Sequence, residues 1–65
     1  MITVNGQQAA FAQGDTVQTL LDARKLDAAR VAVEHNGAIL KRSDFAQTRL
    51  TDGDKIEIVH FVGGG

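Results

Sequence analysis

The sequence contains no cysteine, no tryptophan and no tyrosine. Without cysteine there is no disulfide, no thiolate metal site and no cysteine nucleophile. With aromatic residues at 5%, a stacking platform for nucleic-acid bases is not expected. The net charge of −1 lacks the basic excess that phosphate binding demands, so nucleic acid is not an expected partner. No stretch approaches the roughly 18 apolar residues of a membrane span, and no basic-then-apolar leader opens the chain. These absences together predict a soluble, cytoplasmic protein with no membrane contact.

What is present is enough for one small core. A chain of 65 residues makes a single domain and buries only about 60% of the surface its unfolded form exposes. With 43% hydrophobic residues, that core is built from Ile, Val, Leu and Phe. No staple assists it.

Along the chain, Ile2, Thr3 and Val4 read as a short strand. Asn5-Gly6 is a strong hairpin signal, because a type I′ turn needs positive φ at both central residues. Residues 7–11 return as the second strand, and Ala12, Gln13 and Gly14 form a loop. Asp15 and Thr16 open a helix. Asp15 with Gln18, or Thr16 one position later, supplies the N-cap oxygen. Val17, Leu20, Leu21 and the stem of Arg24 fall on one helical face. The helix fades near Lys25 or Leu26, with Arg24 and Lys25 suiting the negative end of its dipole. Val31, Ala32 and Val33 form a third strand, Asn36-Gly37 repeats the hairpin signal, and Ala38, Ile39 and Leu40 return. Residues 43–46 read as one capped helical turn with Phe45 pointing inward. Asp52-Gly53 is a turn, and residues 55–62 form the last strand.

The predicted order is β-β-α-β-β-(turn)-β, an α+β class with one main helix on one face of a mixed sheet. The last strand can lie in the middle beside the first, parallel to it. That arrangement is the ubiquitin-like β-grasp, over residues 1–62, with residues 63–65 as a glycine tail. Along the last strand, alternation sends Ile56 and Ile58 toward Leu20, Leu21, Val31, Val33 and Phe45. Val59 and Phe61 then lie on the uncovered face. They are either ordinary exposure or a docking patch, and the adjacent tail favours docking, with Val62 beside them.

The tail itself, Gly63, Gly64 and Gly65, has no side chains to pack and is expected to be disordered when free. Such a tail is dispensable, or it is useful because a thin segment with a free carboxylate threads into another protein's active site. Several pieces resemble the ThiS family of sulfur carriers. They are the Gly14-Asp15-Thr16-Val17 start of the helix, the segment from Val33 to Ile39 followed by residues 41–45, the Asp52-Gly53-Asp54-Lys55-Ile56 turn, and the terminal glycines. The resemblance implies a carrier rather than an enzyme, with no cofactor of its own. It implies that a ThiF-like enzyme adenylates the Gly65 carboxylate with ATP. Sulfur from a donor such as a cysteine desulfurase then replaces AMP, and a ThiG-like thiazole synthase uses the thiocarboxylate in thiamine biosynthesis. Gly63 and Gly64 would thread into the partner, and Val59, Phe61 and Val62 would bind it. The alternatives are a MoaD-like carrier for molybdopterin and a ubiquitin-like interaction module that is never activated.

The remaining polar residues suggest no catalytic constellation. His35 and His60 have no Cys, Asp or His at ligand spacing, so no metal site is expected. Asp52, Asp54 and Glu57 read as a solvated acidic edge or as partner contacts. Gly14 lacks the further glycines of a phosphate loop.

Overall fold

The computed structural model describes residues 1–61. Strand β1 (Ile2–Val4) turns back into β2 (Gln7–Ala9), α1 (Val17–Ala23) follows, and a 3-10 turn (Ala28–Arg30) leads into β3 (Val31–His35). β4 (Ala38–Leu40) returns from it, a 3-10 segment (Arg42–Gln47) follows and packs against α1, and β5 (Lys55–His60) closes the series. The five strands form one sheet in the order β2-β1-β5-β3-β4. β5 runs parallel to β1 and antiparallel to β3. The last strand is therefore central, as the sequence predicts.

Both hairpins follow from local chemistry. Asn5 and Gly6 have φ of 50° and 82°, and Asn36 and Gly37 have φ of 52° and 87°. These are left-handed at both central positions, which Asn and Gly tolerate best. β2 ends at Ala9 rather than residue 11: Ala9 pairs with Ile2, and Met1 before it is engaged with the Asp52-Gly53 turn instead, its C=O accepting from Gly53 N–H. β3 is longer than expected. Glu34 and His35 continue the strand by pairing with Glu57 and Ile56 of β5.

The helix begins on Thr16, whose side chain accepts from the Thr19 backbone N–H while the Thr19 hydroxyl accepts from Thr16 N–H. Asp15 serves the preceding loop instead, accepting from Ala12 N–H at 2.9 Å. At its other end the helix stops at Ala23, earlier than the sequence suggests. Lys25 turns left-handed with φ 59°. Its N–H donates to Asp22 C=O, and Leu26 N–H donates to Leu21 C=O, the two bonds of a Schellman ending. Arg24 is thus the exposed C-cap, not part of a buried face or a last helical turn.

Val17 and Leu21 press onto the sheet, where Ile2, Val4, Val31, Val33 and Ile56 point at them from alternate positions along their strands. Phe45, 1% exposed, and Leu50 close one side of this core, and Leu20, Leu26, Leu40 and Ile58 pack around it. Phe45 is inward as expected, but its segment has no side-chain cap at the N-terminus. The strap after it is tied to the helix start: Val17 N–H donates to Thr48 C=O, and Leu50 N–H donates to Asp15 C=O.

Candidate functional site

Strand alternation divides β5 cleanly. Ile56 is fully buried and Ile58 packs against the core, whereas Val59 and Phe61 stand on the other face at 59% and 58% exposure. Phe61 lies just past the strand, yet it stays in register because its N–H donates to Arg30 C=O at 2.8 Å. Ile39, 82% exposed, joins them on the same face. Three of the four exposed large apolar side chains among the described residues, Ile39, Val59 and Phe61, thus share the face that α1 does not cover; the fourth is Met1 at the start of the chain. Val62, Gly63, Gly64 and Gly65 lie outside the described residues.

β5 is held from both hairpin turns, at its start by Asn36 and at Ile58 by Asn5. The Asn5 side chain accepts from Ile58 N–H at 2.7 Å and donates to Ile58 C=O at 3.2 Å. It thereby continues the ladder after β1 has turned away. The Asn36 side chain accepts from Lys55 N–H at 2.8 Å. Sequence reading finds both asparagines as turn residues, but nothing local reveals that each clamps a strand far away in the chain.

Asp54 departs from the solvated edge expected of it. It is 5% exposed and accepts four hydrogen bonds, from Thr51 N–H, the Thr51 hydroxyl, the Asn36 side chain and His35 Nε2. Burial alone would raise its pKa. The bonds from Thr51 N–H, Asn36, His35 and the Thr51 hydroxyl outweigh that and hold the carboxyl well below the usual carboxylate range. His35, half-buried at the end of β3, contacts it at 3.0 Å across 19 residues of sequence. A His–Asp pair therefore exists where sequence spacing suggested none. Its partners are all strand-end and turn groups, so it ties the turn that enters β5 to the end of β3 and the Asn36-Gly37 turn. The one local signal for it is Thr51 three residues before Asp54, the spacing at which an Asp side chain meets a backbone N–H. Among the described residues, no group of three His, Asp or Glu side chains is placed to hold a metal ion. No helix among them is long and apolar enough to cross a membrane.

A five-stranded mixed sheet with a parallel central pair, one helix across one face and an exposed apolar patch beside the last strand defines a ubiquitin-like β-grasp domain. Within that class the chain belongs to the ThiS family, which it matches over residues 2–65. It is 39% identical to the sulfur carrier protein ThiS of Bacillus subtilis, covering 100% of both chains. It is 44% identical to a thiazole synthase of Paramagnetospirillum magneticum over 98% of this chain. There it spans only 20% of the relative's length, as it also does in the thiazole synthase of Magnetococcus marinus. The crystal structure of the thiamine biosynthesis protein ThiS of Geobacter metallireducens superposes with a TM-score of 0.81 at 42% identity, covering 98% of this chain and 97% of that one.

Proposed function

We propose that this chain is a sulfur carrier of thiamine biosynthesis whose Gly65 carboxylate is the group that is loaded. The observation that carries the reading is the family match running through the terminal glycines. The central position of β5, the strand that leads into them, supports it. A strand paired on both sides and clamped by Asn5 is a firm base from which to present a terminal group.

The chemistry needs little of the carrier. A carboxylate resists nucleophilic attack because it is anionic and oxide is a poor leaving group. A ThiF-like enzyme removes both obstacles: the Gly65 carboxylate oxygen attacks the α-phosphorus of ATP, and pyrophosphate leaves. The terminal sulfur of a donor persulfide, such as that of a cysteine desulfurase, then attacks the acyl carbon and expels AMP, giving an acyl disulfide. A thiol reductant attacks the donor-side sulfur and breaks the S–S bond, leaving the thiocarboxylate on Gly65 and the donor cysteine in a disulfide with that thiol. Thiazole synthase takes that sulfur into the thiazole ring. The catalytic groups belong to these partners. Gly63 and Gly64 admit the tail to narrow active sites, and Val59, Phe61 and Val62 dock beside it. The setting is cytoplasmic, with residues 1–62 as the folded unit and 63–65 as the tail.

Intact mass after incubation with ATP, the adenylating enzyme and a sulfur donor tests the reading. The expected result is a gain equal to one oxygen-to-sulfur exchange, abolished when Gly64 and Gly65 are deleted. An unchanged mass in the full chain rules the carrier function out.

A further inference from the structure

The backbone groups of β5 face its two neighbours alternately, and near the tail one side runs out of partners. Lys55 C=O accepts from Asn36 N–H, and Phe61 N–H donates to Arg30 C=O, both at 2.8 Å. The odd-numbered residues therefore bond toward β3, and the even-numbered ones face β1. Asp54 C=O and Ile56 C=O accept from Thr3 N–H and Asn5 N–H, each at 2.9 Å. By Ile58 the strand β1 has already ended, at Val4, and the Asn5 side chain supplies both bonds. His60 is the next residue in that series. Its place opposite Val31 is a non-bonded position of the β3–β5 ladder, since Phe61 beyond it bonds Arg30. Among the described residues, neither the N–H nor the C=O of His60 has a partner. A strand that is otherwise central thus ends in an open edge, exposed at His60 and Phe61 and leading straight into the tail.

We propose that an extended segment of the adenylating enzyme completes this edge, pairing its own backbone with His60 as β1 pairs with the earlier part of β5. The inference rests on the carrier reading above and adds how that enzyme grips the carrier. Gly63, Gly64 and Gly65 offer it no side chain, so the enzyme that activates Gly65 has only backbone groups to hold along the tail. His60 presents the same kind of group on the folded body, three residues ahead of the first of those glycines. Adding a strand to an open edge satisfies such groups whatever the side chains are. Val59 and Phe61 flank His60 and are exposed on the outer face, where side chains of the same segment can cover them. A second copy of this chain is a weaker occupant. One residue's pair of backbone groups contributes little alone, whereas the enzyme adds its contacts with the tail.

The test compares His60→Pro with His60→Ala in ATP–pyrophosphate exchange by the adenylating enzyme, read as the KM for the carrier. Both variants lack the imidazole, and only proline lacks the N–H. Proline is tolerated where the N–H faces an open edge, so H60P should stay folded by circular dichroism. Its KM should exceed that of H60A by about tenfold, with similar kcat, because a backbone bond to the enzyme is lost and the ring obstructs the incoming strand. Equal KM values for the two variants overturn the inference. Amide hydrogen exchange of the wild type decides the matter without any variant, should H60P not fold. The His60 N–H should exchange freely in the carrier alone and about tenfold or more slower with excess enzyme. Exchange that the enzyme leaves unchanged overturns the inference. So does slowing that follows carrier concentration without enzyme, which would name a second copy as the occupant. The carrier reading is judged separately, by whether wild type gains sulfur. A wild type that is loaded normally while H60P and H60A share one KM leaves that reading standing and removes this one.

Discussion

The side-chain amide of Asn5 bonds both backbone groups of Ile58, accepting from its N–H at 2.7 Å and donating to its C=O at 3.2 Å. One turn residue thus replaces the strand that β1 would need to supply at that point. The same residue sets the turn with φ 50°. Asn5→Gly separates these roles, because glycine accepts positive φ freely but carries no amide. The variant should lose about 1–2 kcal/mol of stability, read as a lower urea midpoint. A midpoint equal to wild type would show that the clamp contributes nothing.

Asp54 should govern acid stability. Its carboxyl is held below the ordinary aspartate range in the folded state, so in acid the unfolded chain binds the proton first. Stability from this group is complete above the unfolded pKa of about 3.9 and drains away as pH falls from there toward the lower folded value. Asp54→Asn should cost about 2 kcal/mol or more at neutral pH, since it breaks a buried charge-assisted network. It should also flatten the decline of stability below about pH 4. Denaturation curves at several pH values check both, and an undiminished acid decline in the variant would refute the assignment.

Lys25 holds a left-handed conformation at the end of α1, with φ 59°. That position favours glycine. Lys25→Gly should stabilise the domain by about 0.5–1 kcal/mol, the relief of the side-chain clash exceeding the extra freedom gained by the unfolded chain. A lower thermal midpoint would contradict this.

Phe61 is 58% exposed and outside the core cluster. Phe61→Asp should leave the thermal midpoint within about 0.5 kcal/mol of wild type in stability terms. Binding to the adenylating enzyme should weaken by about tenfold or more, on the order of 1.4 kcal/mol. Undiminished binding would remove Phe61 from the docking patch.

Much of the fold was legible because its signals are local. Asn5-Gly6 and Asn36-Gly37 need positive φ whatever surrounds them, and they appear as the two predicted hairpins. Period-two alternation put Ile56 inward and Val59 and Phe61 outward, as observed. The elements that shifted did so for reasons held elsewhere in the chain. β3 reaches His35 because β5 lies beside it, and β2 stops at Ala9 because Met1, the next residue before β1, bonds the Asp52-Gly53 turn instead. The helix ends early at a lysine, where no glycine announces a stop.

The sequence by itself determined the element order, the turn chemistry, the apolar faces and the family, since these depend on residue type and spacing along one strand or helix. Only the tertiary structure decided where the polar groups go. It buries Asp54 against His35, Asn36 and Thr51, sets Glu34 opposite Glu57, and closes Asn5 onto Ile58. The physical reason is the sheet order. Placing the last strand between the first and the third brings together residues up to 53 positions apart, and no local pattern records which polar groups will meet there.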